Sequence, residues 1–303
     1  MDDGEGMENN LTVSLTLDNE KISKMKEFYK ENIYPSKSEY ISTLIKLDDV
    51  TITIYHSNKV VFQGKNAEYE AKIWGEVNDK IIWKYLKEQI GSDEVGTGDY
   101  FGPICVCASY VTEQDIEWLN ELGVNDSKAL SDEKIIKIAP ELIKRIPYSQ
   151  MSVDPIKYNS LIQSGYNQGK IKAMLHNQVI HNLRKKLNKD NIFTIIDQFV
   201  TESKYYEYIK FTKVVERNIS FETKAESKYP SVAVSSIIAR YSFLLKMTAM
   251  SKTIGKIIPK GAGEQVDSFG KDFVDKYGEN KLKEYAKWHF ANTRKILYND
   301  EKL

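Results

Sequence analysis

From residue 11 to residue 17 apolar and polar side chains alternate without a break, Leu-Thr-Val-Ser-Leu-Thr-Leu. This is the period of a strand with one buried face. Asp18 or Asn19 can then cap a helix carrying Ile22, Met25 and Phe28. Short strands are predicted near 40–47, 50–55 and 59–63, with His56-Ser57-Asn58 as a tight turn, and a helix over about 67–77. Beyond a helical linker near 80–89 the pattern changes to strands alternating with helices. An apolar, β-branched strand spans 102–111 and a buried one 191–197, while helical periodicity covers 131–145, 167–187 and 230–252. Two more helical stretches within 269–291 are expected to pack on the sheet's edge. The pattern predicts an α/β fold, a mixed sheet flanked by helices, preceded by a small α+β sheet domain. No internal repeat is evident, which sets solenoids aside.

Composition adds constraints. At 303 residues, 41% hydrophobic and 28% charged, the chain has the balance of an ordinary globular protein long enough for two domains. Lys+Arg and Asp+Glu are equal at 43 each, so no global cationic field advertises a polyanionic partner. Residues 1–88 hold 12 basic and 16 acidic side chains, leaving 31 basic and 27 acidic for the rest, so the second part is the better phosphate binder by charge. Cys105 and Cys107 lie two apart in a strand and face one side, too far apart for easy bridging, and read as small core residues. With no disulfide framework, no charged-then-apolar leader and no apolar run near 18 residues, secretion and membrane insertion are not expected. A cytoplasmic monomer is the default.

The chemistry concentrates in Ile90-Gly-Ser-Asp93-Glu94-Val-Gly96-Thr97-Gly98-Asp-Tyr-Phe-Gly-Pro103. Asp93 to Gly98 is expected to connect two paired strands, with Asp93 and Glu94 on opposite sides if the backbone stays extended. Gly96 and Gly98 allow a close backbone approach or a positive φ. Taken alone, the motif is accounted for equally well by a surface hairpin with solvated acids. Asp197 follows the apolar run 192–196, at the C-terminal end of a buried strand where α/β folds place ligand sites, although an ordinary helix cap explains it too. Glu226 lies in a charged stretch and by itself reads as solvated. Ser127 and Lys128 precede the capping candidate Ser131 and can hold a phosphate at a helix N-terminus. The helix over 167–187 carries Lys170, Lys172, Arg184, Lys185 and Lys186, either bordering a duplex or forming a solvated face. Ser235 and Ser236 read as helix-packing residues, and Arg240 as a phosphate contact. The four His residues show no zinc-hydrolase spacing.

Asp93 to Tyr110 resembles the opening strand pair of the type 2 ribonuclease H family, whose signature is DE-x-G-x-G followed by Gly-Pro and a hydrophobic strand. Three further segments match in the same order: Asp126-Ser127-Lys128-Ala129-Leu130, Ile195-Ile196-Asp197, and Lys224-Ala225-Glu226-Ser227 through Ala239-Arg240. The long N-terminal extension and Glu226, where the junction-cutting branch usually carries Asp, point to the ribonuclease HIII branch. So does Gly96-Thr97-Gly98 in place of Gly-Arg-Gly. Lys260-Gly261-Ala262-Gly263 resembles a loop of that branch.

The resemblance implies a TATA-binding-protein-like substrate-binding domain over residues 1–85 and a catalytic domain over 86–303. It implies two Mg²⁺ or Mn²⁺ ions, with Asp93 and Asp197 as direct ligands and Glu94 and Glu226 completing the shell. The glycine loop of Gly96, Thr97 and Gly98 approaches ribose 2′-hydroxyls, while Ser127, Lys128 and Arg240 hold substrate. The expected activity is endonucleolytic cleavage of the RNA strand of RNA/DNA hybrids, leaving 5′-phosphate and 3′-hydroxyl ends. The rivals are incision at single ribonucleotides in DNA, a non-catalytic nucleic-acid-binding protein, and a metal-dependent phosphatase.

Overall fold

The computed structural model describes residues 11–36, 38–75, 83–124, 130–189 and 191–298. The chain divides into two compact units, Met1–Lys80 and Ile81–Leu303.

In the first unit the alternating segment forms β1 (Leu11–Thr16), followed by α1 (Asn19–Phe28), capped by the Asp18 carboxylate, which accepts from the Lys21 N–H. A two-residue strand absent from the expected pattern, β2 (Ile33–Tyr34), precedes β3 (Ile41–Lys46), β4 (Val50–Tyr55), β5 (Lys59–Gly64) and α2 (Ala67–Trp74). The strands make one antiparallel sheet in the order β1-β5-β4-β3-β2. Val13, Leu15, Ile45, Ile52, Ile54, Val60 and Phe62 form its core with Ile22 and Met25 of α1 and Ala67 and Ala71 of α2. The alternate positions, among them Thr12, Ser14, Thr16, Ser42, Lys46 and Gln63, remain exposed. One sheet face is therefore dry and the other polar.

The second unit begins before the expected linker ends. Trp83 is buried in its core, the Lys84 N–H bonds the Lys228 carbonyl, and 83–88 is irregular rather than helical. Its elements are β6 (Gln89–Val95), β7 (Ile104–Val111), α3 (Ile116–Glu121), α4 (Asp132–Arg145), β8 (Tyr148–Val153), α5 (Pro155–Gln163), α6 (Gln168–Leu187), β9 (Phe193–Asp197), α7 (Glu202–Ile209), β10 (Ile219–Glu222), α8 (Pro230–Ile254), α9 (Glu264–Tyr277), α10 (Glu279–Tyr285) and α11 (Ala291–Tyr298). The sheet order is β10-β9-β6-β7-β8. β6, β9 and β10 run parallel, and β7 and β8 are antiparallel.

Each face of this sheet buries its own apolar set. Cys105 and Cys107 of β7 turn toward α8 and α4, whereas Ile104, Val106 and Ala108 turn toward α6. Helix α8 is long and apolar enough by composition to span a membrane, contrary to the expectation of no such run. Its role here is internal: Ala233, Val234, Ile237 and Ile238 are buried between sheet and α4. A Cβ on Gly91 would strike the Val232 backbone nitrogen, so only glycine lets α8 cross β6 this closely.

Candidate active site

Strand β6 does not end at Ser92. It continues through Asp93, Glu94 and Val95, paired with Cys107, Val106 and Cys105. The turn is confined to the residues after Val95. Alternation along this strand places Asp93 on the α8 side and Glu94 on the α6 side. Ser236 of α8 accordingly donates to the Asp93 carboxylate, while Lys172 and His176 of α6 engage Glu94. Gly96 reverses the chain at φ +94, where a Cβ would collide with the Pro103 carbonyl oxygen.

Asp197 ends β9. Because Ser92 is registered against Ile196 on the parallel neighbour, Asp93 falls beside Asp197, within β6 where β9 ends. The Ala225 N–H donates to Asp197 Oδ1 at 2.9 Å, tying that carboxylate to the 3-10 turn Ala225–Ser227. Glu226 of this turn is 3% exposed, so the expected solvated face is not found. The packing of the turn against the start of α8 carries Glu226 inward. Asp93, Glu94, Asp197 and Glu226 line one cavity of about 480 Å³, together with Asp132, Ser236 and Arg240.

The electrostatics are those of crowded acids. Burial, then the charges of Glu94 and Asp197, pushes the Asp93 carboxyl up to about 8, against hydrogen bonds from Ser236 and the Glu94 N–H. Burial would also raise Glu94, but the His176 hydrogen bond and the charge beside it, with Lys172, hold it below the usual carboxylate range. Lys172 Nζ stands 2.7 Å from Glu94 Oε1, and His176 Nε2 2.8 Å from Oε2. His176 Nδ1 meets Ser92 Oγ at 2.7 Å, and that hydroxyl donates to the Cys107 carbonyl. Phe199 backs both partners, stacked on the His176 ring and lying 4.0 Å from Lys172 Nζ.

The donor set is all carboxylate oxygen, which suits a hard divalent cation. Among the described residues no group of three or more His, Cys, Asp or Glu side chains is placed to hold a metal ion by itself.

Other expected contacts are distributed differently. Arg240 reaches the cavity, but its Nε donates to Asp132 Oδ1 at 3.0 Å, and Lys260 pairs with the other oxygen of the same carboxylate. Arg184 does not border a duplex: it is buried, bonded to Glu216 and Thr194. Ser235 packs as expected, its hydroxyl on the Gly91 carbonyl, whereas Ser236 belongs to the cavity. Thr97 is held through its carbonyl by Gln168 Nε2 at 3.0 Å, and the space about Gly98 is open. Ser127 and Lys128 lie outside the described residues. His176 and Asp132 had no distinguishing sequence signal, and Lys172, expected to border a duplex or lie on a solvated face, is instead paired with Glu94. The i, i+4 spacing of Lys172 and His176 on one helix face was the only trace of their partnership.

The chain resembles known proteins along most of its length. Residues 90–293 match the family model Ribonuclease HII, and residues 12–81 match a domain of unknown function, DUF3378. Ribonuclease HIII of Bacillus velezensis is 43% identical over 90% of this chain and 93% of its own length. That of Lactococcus lactis is 42% identical over 95% and 98%. Among solved structures, Bst-RNase HIII in complex with Mn²⁺ superposes with TM-score 0.70 at 37% identity, covering 96% of this chain and 99% of that one. The chain belongs to the ribonuclease HIII family of metal-dependent nucleases, within the wider type 2 ribonuclease H group.

Proposed function

We propose that this chain hydrolyses the RNA strand of RNA/DNA hybrids as an endonuclease, with Asp93, Glu94, Asp197 and Glu226 as the residues that hold two Mg²⁺ or Mn²⁺ ions. The observation that carries the site assignment is the convergence of these four carboxylates, 133 positions apart at the extremes, on one cavity. Divalent ions bound there would supply a nucleophile from water and cover for charge on the leaving 3′-oxygen, giving 5′-phosphate and 3′-hydroxyl ends.

The chain's own residues do the rest. Asp93 and Asp197, on adjacent strands and held by Ser236 and by the Ala225 N–H, offer oxygens from a rigid support. Lys172 and His176 keep Glu94 ionised and fix its rotamer. Arg240, which lines the cavity, and Lys260, which shares its Asp132 partner, hold substrate phosphates against the repulsion of the acids. Ser127 and Lys128 add phosphate contacts. The Gly96-Thr97-Gly98 loop reads the ribose 2′-hydroxyl. The polar face of the first unit's sheet lies along the duplex and raises affinity, the substrate-binding domain ending near residue 80 rather than at 85. The buried free thiols of Cys105 and Cys107 suit a reducing cytoplasm, where the protein acts as a monomer.

The test is cleavage of end-labelled substrates under a titration of Mg²⁺ and Mn²⁺. A continuous RNA/DNA hybrid should be cut and Asp197→Asn should abolish the cutting while hybrid binding persists. Retained cleavage by that variant would refute the site. Because the matching family model is that of ribonuclease HII, incision at one ribonucleotide within DNA is the competing activity. Efficient cutting of such a duplex would favour it, whereas a need for several consecutive ribonucleotides favours the hybrid reading.

A further inference from the structure

Lys287 is fully buried, yet the sequence and the acid cluster give its ammonium no work. Its Nζ donates to two backbone carbonyls, those of Asp99 and Gly102, each at 2.7 Å, and its own N–H donates to the Tyr100 carbonyl at 2.8 Å. All three acceptors belong to the segment that leaves the Gly96-Thr97-Gly98 loop. The Gly102 N–H is bound to the Tyr285 carbonyl, Phe101 bridges Ala286, and the Asp99 carboxylate takes the Gly261 N–H. The base of the loop is thus consumed from behind. Its tip is not: space about Gly98 is open, and the Thr97 carbonyl, drawn to Gln168, turns the Gly98 N–H the other way because the peptide is planar and trans.

We propose that Lys287 is a positioning residue that braces the glycine loop from inside the fold and thereby sets the preference for RNA/DNA hybrid over DNA duplex. The inference rests on the reading of that loop as the ribose-sensing element. A buried ammonium is costly unless it is hydrogen-bonded, and a side chain with no donor would leave two buried carbonyls unpaired. Burial draws the Lys287 ammonium down to about 7 despite the opposing charge of Asp99, a cost the fold accepts at this point. The Phe290 ring, 6.0 Å from Nζ, offers partial compensation.

The experiment measures, by fluorescence anisotropy, the affinities of the full chain carrying Asp93→Asn for a hybrid and for a DNA duplex of the same sequence. Adding Lys287→Met should lower the hybrid-over-DNA ratio about tenfold, as loss of a donor to buried acceptors would, with DNA affinity little changed. Lys287→Ala should lower it too and regain it with millimolar ethylammonium, which Lys287→Met should not. A ratio unchanged in Lys287→Met, or a proportional fall in both affinities, overturns the brace. If Lys287→Met does not fold, Lys287→Gln carries the test. Its shorter amide reaches fewer acceptors, so the ratio should fall by about threefold, and an unchanged ratio overturns the proposal. If the chain with Asp93→Asn alone shows no preference for hybrid, the reading of the loop itself fails, and the proposal with it.

Discussion

His176 Nε2 lies 2.8 Å from Glu94 Oε2 while its Nδ1 lies 2.7 Å from Ser92 Oγ, so a fully buried imidazole links two same-face residues of β6 to α6. With Lys172 on the other oxygen, it fixes the orientation of Glu94. His176→Ala should cut kcat by roughly 10–100-fold, the usual cost of removing a partner that orients a metal-ligating group. Because His176 holds the Glu94 pKa down, the acid limb of the pH–rate profile should move to higher pH in the variant. A profile unmoved in steady-state assays would show that Glu94 is oriented by Lys172 alone.

Metal binding should release a proton from Asp93. Its folded pKa, raised to about 8, lies far above the ordinary aspartate value of 3.8, so the metal-free folded state holds a proton between those values that the unfolded chain does not. Metal-free stability should therefore fall as pH rises from about 4 to about 8, and metal affinity should rise over the upper part of the same window. Calorimetry of Mg²⁺ or Mn²⁺ binding at pH 6.5 in buffers of different ionisation enthalpy should detect the released proton. At pH 9 the release should vanish, and Asp93→Asn should lack it throughout.

Removing residues 1–80 should weaken hybrid binding more than it slows turnover at saturating substrate, because the open sheet face belongs to that unit while all four carboxylates belong to the other. Comparing KM with kcat for the truncated and full chains checks this. An unchanged KM would assign the sheet another task.

Gly91→Ala should destabilise the second unit by about 1–3 kcal/mol, as overpacking does, because the new Cβ meets backbone of α8 rather than a movable side chain. Thermal denaturation should show it. Gly98→Ala, with open space around it, should leave the melting temperature unchanged and alter only substrate discrimination.

Elements with strong periodicity were legible in the chain: β1, α1, α4, α6, β7, β9 and α8 stand close to where their apolar patterns put them. The two-residue β2 was not, since so short an edge strand depends on pairing with β3 rather than on a pattern of its own. The linker over 83–88 is irregular because Trp83 is drawn into the core, a tertiary contact that overrides local helical preference.

The candidate site divides the same way. Residue order alone determined that Asp93 and Glu94 point to opposite sides wherever the backbone is extended and that Asp197 closes a buried strand, because alternation and strand ends are local properties; that β6 stays extended through Val95, where a connection was expected, was decided by its pairing with β7. Only the folded chain decided that Glu226 is buried, that Arg240 and Lys260 share Asp132, that His176 serves Glu94, and that Lys287 stands behind the glycine loop. These relationships join residues 80 or more positions apart, except for the burial of Glu226, which depends on its turn packing against α8. Sheet register and helix crossing set such distances, and neither leaves a periodic trace in the sequence.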